Sequence, residues 1–174
     1  ILIPQKGSEK SDLAEMRRNI CERVLEKQPR FAYFNLPRRD LSQPDYLKRV
    51  DIWHDEIAKI WLKVLNKELP NGCKAAFMIW GDPSLYDSSS RIAKRLKTQV
   101  NGLKVTVTPG LTAIQLLTAA HSIPLNEIGS PVMIGTGRQL REQGWPEGCN
   151  TMAVMLDGDC SFDQLDDKKY KIWW

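Results

Sequence analysis

An apolar run, Ala75-Ala76-Phe77-Met78-Ile79-Trp80, stops abruptly at Gly81-Asp82-Pro83, and a helix-like segment follows from Ser84. Gly81 can turn with positive φ, and Pro83 has no N–H to give a sheet ladder. The junction therefore sets Asp82 at the carboxyl edge of a buried strand. In open α/β sheets, ligands bind outside that edge. A second elbow follows the same logic: Val105-Thr106-Val107-Thr108 breaks at Pro109-Gly110 before Leu111-Thr112-Ala113. Two strand-to-helix elbows separated by one helix and one strand predict a two-sided pocket.

The elements around these elbows alternate. Ile1–Ile3 reads as a strand. Ser11 caps a predicted helix to about Lys27, with Leu13, Met16, Ile20 and Val24 at helical spacing. Phe31–Leu36 is a short strand. A long helix over about 43–66 carries the stripe Tyr46, Leu47, Val50, Trp53, Ile57, Ile60, Trp61, Val64 and Leu65, and Pro70-Asn71-Gly72 breaks it. Cys73–Trp80 is the strand of the first elbow, followed by a helix from Ser84 to about Gln99 and a strand over Leu103–Val107. A helix over Thr112–His121 completes a β-α-β-α order. That order predicts an α/β fold, a mostly parallel sheet with helices on both faces. After Ile123 the glycines and prolines Pro124, Gly129, Pro131, Gly135 and Gly137 punctuate the chain closely. The expected division is a first domain over 1–129 and the start of a second α/β domain over 130–174, with strands at Pro131–Ile134, Met152–Leu156 and Ile172–Trp174.

Bulk properties narrow the function classes. Apolar residues make up 42% and charged residues 26% of 174, ordinary for a soluble protein, and no apolar run approaches a membrane span. A net charge of +4 suits a polyanionic small substrate but is too small and dispersed to point to nucleic acid. Cys21, Cys73, Cys149 and Cys160 are scattered and, with only His54 and His121, give no metal-ligating spacing. Reduced thiols in a cytoplasmic protein are expected. The opening Ile1-Leu2-Ile3-Pro4 has no signal-peptide features and reads as the inside of a strand. The strand-like close at Trp173-Trp174 has no turn, so truncation at both ends is expected.

Asp82 admits several roles. It can bond nearby backbone N–H groups in its own turn. A carboxylate only accepts, so it also suits a ribose hydroxyl or an ammonium group of a ligand. As a phosphate loop the elbow is poor, lacking both dinucleotide glycine spacing and Gly-Lys-Ser/Thr. Thr112 and Ala113 open a helix, where they serve as cap and close-packed residue or offer free N–H groups to a ligand. Asp157-Gly158-Asp159 suggests a turn, without the acidic repeat of a calcium loop. His121 reads as a helix C-terminal charge, and His54 as structural or exposed. Arg17 and Arg18 read as solvated helix surface. Arg38, Arg39 and Arg138 are placed in loops, where guanidinium groups clamp carboxylates.

At the two elbows and the Asp-Gly-Asp turn the chain resembles the tetrapyrrole methylases. The match runs through Trp80-Gly81-Asp82-Pro83-Ser84-Leu85-Tyr86 and Pro109-Gly110-Leu111-Thr112-Ala113. Asp87-Ser88, Ile123-Pro124-Leu125-Asn126, Gly135-Thr136-Gly137-Arg138, Gly144-Trp145-Pro146-Glu147-Gly148, Met155-Leu156-Asp157-Gly158-Asp159, Lys6-Gly7 and Arg17-Arg18-Asn19-Ile20-Cys21 extend it. These finer features resemble the deacetylating branch of the corrin pathway. The resemblance implies binding of S-adenosyl-L-methionine between two α/β domains, with Trp80, Gly81, Asp82 and Leu85 lining the cofactor site and Thr112, Ala113 and Met155 facing them. It implies methylation of precorrin-5 at ring carbon one with loss of acetate. It also implies no metal, a small-molecule tetrapyrrole substrate met by Arg38, Arg39 and Arg138, no nucleic acid or membrane partner, and pairing as a homodimer. The family's opening strand and Gly-rich turn are missing from this chain. Alternatives are a methylase of the same scaffold acting on a modified histidine (diphthine synthase-like) or on ribosomal RNA, and a non-catalytic nucleotide-binding module.

Overall fold

Two parallel strand pairs organise the chain, each joined through an intervening helix as parallel pairing requires. The computed structural model describes residues 1–5, 11–70, 73–166 and 168–174. Lys6-Gly7 and Asn71-Gly72 lie outside the described residues. The chain divides into a unit over Ile1–Gly110 and a second over Leu111–Trp174.

In the first unit β1 (Leu2–Gln5) pairs with β2 (Ala32–Asn35) in the register Leu2 to Ala32 through Gln5 to Asn35, and α1 (Ser11–Val24) connects them. α2 (Tyr46–Glu68) starts at Asp45, whose carboxylate accepts from Leu47 N at 2.9 Å and Lys48 N at 3.1 Å. α3 (Ser89–Lys97) packs beside it. Leu2, Phe34, Ile57, Ala58, Trp61, Ile92 and Leu96 form the core under these two helices. Trp61 stacks on Phe77 with ring centroids 3.9 Å apart and meets Phe34 edge-on. Successive strand residues point to opposite faces, so Ile3, fully buried beside Leu2, covers the other face, against which α1 packs. The α/β architecture with helices on both faces is therefore present.

Three local expectations change. The stripe expected to bury α1 is turned outward: Leu13, Met16, Ile20 and Val24 are exposed, and Ala14, Arg17 and Cys21 face inward. Apolar spacing identified a helix but not its buried face, because Arg17 finds partners that compensate its burial. The helix after the first elbow begins at Ser89 rather than Ser84. The Asp82 carboxylate takes the Ser84 N–H, Tyr86 sits at φ 51°, and Asp87 accepts from Ser89 N at 2.6 Å, so residues 83–88 form turns instead. Finally, Cys73–Trp80 contributes one parallel bridge, Leu2 to Phe77, and Leu103–Val107 has no ladder among the described residues, with Val105 and Val107 exposed. β-branched residues favour a strand only where a neighbour completes the pairing.

His54 is buried on α2, its Nε2 2.8 Å from Ser88 Oγ. Burial, then the charges of Arg95 and Arg91, hold its imidazole below the ordinary value of 6.5. The neutral ring is favoured in the fold, so its stabilising contribution is complete above 6.5 and is lost as pH falls through the lower folded value. Urea midpoints at about pH 7.5 and about pH 5.5 should therefore drop further for the native protein than for His54→Gln. Parallel drops would contradict this assignment.

The second unit comprises α4 (Ala113–His121), β3 (Val132–Thr136), α5 (Gly137–Gln143), β4 (Thr151–Met155) and a 3-10 turn over Ser161–Gln164. β3 and β4 pair in parallel from Val132 to Thr151 through Thr136 to Met155. The expectation of a first domain through residue 129 put α4 in that domain, whereas by its contacts α4 groups with the second unit. Ile172–Trp174, expected as a strand, carries no regular structure. Among the described residues no helix is long and apolar enough to cross a membrane.

Candidate functional site

The first elbow is built on Asp82. Gly81 turns at φ 69°, and buried Pro83 ends the run. Asp82 Oδ1 accepts from Ser84 N at 2.8 Å and from the Ser84 hydroxyl. Its Oδ2 accepts from Gly110 N at 2.8 Å, across 28 residues of sequence. The carboxylate therefore closes its own turn and ties the two elbows together. The Ser84 hydroxyl, then the N–H groups of Gly110 and Ser84, hold its pKa below the usual carboxylate range, so it is ionised at neutral pH. Gly110 permits the approach: a Cβ there would collide with the Gly81 carbonyl oxygen and lie 3.2 Å from its carbon. Leu85, half-buried, donates its N–H to the Asp82 carbonyl at 3.2 Å. A carboxylate offers about four lone-pair directions, so among the described residues one acceptor direction is left over.

Trp80 precedes this turn and is 46% exposed. One of its ring faces is occupied by Arg17, whose Cζ lies 4.7 Å from the ring centroid. The Arg17 guanidinium is buried and donates from Nε to the Met78 carbonyl at 3.2 Å and from Nη1 to the Leu13 carbonyl at 3.3 Å. Burial shifts its pKa down. Sequence reading placed Arg17 on a solvated surface, and its alternation with Ala14 and Cys21 was the available signal that it faces inward. The site on the first unit thus joins an ionised carboxylate, a half-exposed indole, a half-buried leucine and two close-packed glycines.

The other loop arginines of this unit sit apart from these groups in the sequence. Arg38 and Arg39 are both exposed, and Arg39 lies over the Trp53 ring at 4.4 Å while Trp53 Nε1 donates to the Pro37 carbonyl at 2.7 Å. Arg39 is therefore partly committed to the indole of α2.

In the second unit Thr112 is the N-cap of α4. Its hydroxyl accepts from Ile114 N at 3.2 Å, and Gln115 Oε1 accepts from Thr112 N at 2.9 Å. The capping role weighed for Thr112 is thus realised, and Ala113 is the exposed first residue of the helix. Thr136 and Gln139 form the same box at α5, a helix that the glycines of 135–137 concealed from sequence reading although Thr-x-x-Gln signalled it. Arg138 accordingly sits in the first turn of α5 rather than in a loop. Met155 ends β4 opposite Thr136, half-buried.

The Asp157-Gly158-Asp159 turn is a clasp. Asp157 accepts from Ser161 N at 2.7 Å, its Oδ1 is 2.7 Å from the Ser161 hydroxyl, and Arg141 reaches both Asp157 and Asp159. Ser161 is 1% exposed and also 2.9 Å from the Gly137 carbonyl. Chiefly through the Ser161 hydroxyl, the Asp157 pKa lies below the usual range. The turn thus links β4, α5 and the 3-10 segment. Among the described residues no group of three His, Cys, Asp or Glu side chains is arranged to hold a metal ion.

The tetrapyrrole (corrin/porphyrin) methylase family model matches residues 5–167. A precorrin-6A synthase (deacetylating) from Sinorhizobium sp is 44% identical over 176 residues, covering 100% of this chain and 67% of the relative. The crystal structure of a cobalamin synthesis related protein (CobF) from Corynebacterium diphtheriae matches with a TM-score of 0.70 at 32% identity, over 94% of this chain and 63% of that one. The chain thus spans about two-thirds of the length of these relatives.

Proposed function

Because this chain belongs to the tetrapyrrole methylases, we propose that the protein is a corrin-pathway methyltransferase that methylates precorrin-5 at ring carbon one while water cleaves off the extruded acyl group as acetate, giving precorrin-6A. The name and 44% identity of the Sinorhizobium relative support the substrate. The observation that carries the reading in this structure is the ionised Asp82 carboxylate bridging two backbone elbows.

That donor set fits S-adenosyl-L-methionine. A carboxylate with an acceptor direction left over suits a hydroxyl or ammonium group. When bound, S-adenosyl-L-methionine supplies an electrophilic methyl group on a neutral leaving group, so transfer needs alignment more than acid–base chemistry. Asp82 holds its charge without reorganising, because its hydrogen bonds are already made. Trp80 and Leu85 offer apolar surface, and Gly81 leaves the backbone open to close approach. Thr112, Ala113 and Met155 are assigned to S-adenosyl-L-methionine by the family resemblance. Arg38, Arg39 and Arg138 are assigned to the carboxylates of a tetrapyrrole. Work in the cytoplasm and pairing as a homodimer belong to the same proposal.

Incubating the full-length protein with precorrin-5 and S-adenosyl-L-methionine tests it, with methylated corrin and acetate expected in equal amounts. In that assay Asp82→Ala should raise the donor KM about tenfold or more, while neutralising the three arginines should raise the substrate KM and flatten its salt dependence. Absence of both products from the native protein would overturn the assignment. An unchanged donor KM in Asp82→Ala would remove Asp82 from the site.

A further inference from the structure

We propose that Arg17 is the positioning residue of the first elbow, setting the Trp80 indole that the donor meets. This rests on the donor reading given above. A guanidinium is costly to bury without a counter-charge, yet Arg17 is only 9% exposed and pairs with no carboxylate among the described residues. For packing alone an apolar side chain of similar volume would serve as well or better. What the charge adds is specific. Nε–H grips the Met78 carbonyl, next after the bridge residue Phe77, and the planar cation lies over the Trp80 ring. One side chain therefore fixes both the backbone two residues before Trp80 and the ring itself. Cys21, one turn further along the same face, has its sulfur 3.1 Å from that of Met78.

The consequence is a coupled pair. With Arg17 in place the indole has one face covered by the cation, and its exposed part is presented in one orientation to a ligand. Without it the ring gains rotamer freedom, and a ligand must order it at the cost of affinity.

Two measurements on the full-length protein test this. The first needs no ligand. The Trp80 share of the fluorescence is the difference between the native protein and Trp80→Phe, and its quenching by acrylamide should rise in Arg17→Met. The second is calorimetry with S-adenosylhomocysteine. Arg17→Met should weaken binding about tenfold, Arg17→Lys should recover part of that loss, and in a Trp80→Ala background Arg17→Met should cost nothing further. Cys21→Ala, which loosens the same helix face, should lower the melting temperature and leave affinity unchanged. Unchanged quenching, equal losses with and without Trp80, or a Cys21→Ala loss matching that of Arg17→Met would each overturn the proposal. If the native protein binds no S-adenosylhomocysteine while quenching still responds to Arg17→Met, the donor reading falls and the hold of Arg17 on Trp80 stands.

Discussion

Gly110→Ala should destabilise the first unit by about 1–3 kcal/mol, the cost of forcing atoms into a filled space. The added methyl has nowhere to rotate. Its obstacles are the carbonyl oxygen and carbon of Gly81, which are backbone and cannot swing aside. Relief requires the two elbows to separate, and separation breaks the 2.8 Å bond from Gly110 N to Asp82. Two signatures follow. The urea midpoint should fall with the slope unchanged, and the Asp82 carboxyl pKa, followed by NMR, should climb back toward 3.8 as one of its stabilising donors withdraws. A variant that unfolds with the native protein and keeps a depressed Asp82 pKa would show that the elbows do not rely on this contact. The change also bears on function, because the acceptor proposed for the donor is the group that would move.

Trp61→Ala should cost more, about 3–5 kcal/mol, the usual range for deleting a buried aromatic. Trp61 is 5% exposed, stacked on Phe77 and edge-on to Phe34, so it joins α2 to both β2 and the segment that leads to Trp80. The melting temperature should fall by roughly 10–15 °C for a chain of this size. Trp61→Phe separates ring packing from polarity. The indole Nε1 is buried without a hydrogen-bond partner among the described residues, so replacing the indole with a phenyl ring removes an uncompensated polar atom while keeping one ring of the stack. That variant should lose at most about 1 kcal/mol. Thermal melts of the two variants decide the matter. Equal losses would mean that the full bicyclic indole, and not a single aromatic ring, is needed to hold α2 in place.

Much of this architecture is legible in the sequence. The long stripe of α2 was read correctly at Ile57, Trp61 and their neighbours, because helical spacing over many turns leaves little ambiguity. Its exposed end at Tyr46 and Leu47 was not, since spacing does not say where the sheet beneath stops. α1 is legible as a helix but not by its inner face, because hydrophobicity ranks Met16 and Ile20 far above Arg17 and knows nothing of the Met78 carbonyl. α5 was missed because glycine counts as a breaker, although its capping pair was in view. The strand expected over 103–107 shows the reverse error, local propensity without a partner to realise it.

Sequence alone determined where the chain turns and which residues start its helices. Gly81, Pro83, Thr112 and Thr136 act through their own dihedrals or through groups at most three residues away, and such effects are written locally. Tertiary structure alone decided that Asp82 finds the Gly110 N–H across 28 residues and that Arg17 reaches Met78 across 61. Those bonds exist only once the core under α2 and α3 has brought distant backbone together. The charge at position 82 could be named from the chain, but the group that holds it in place could not.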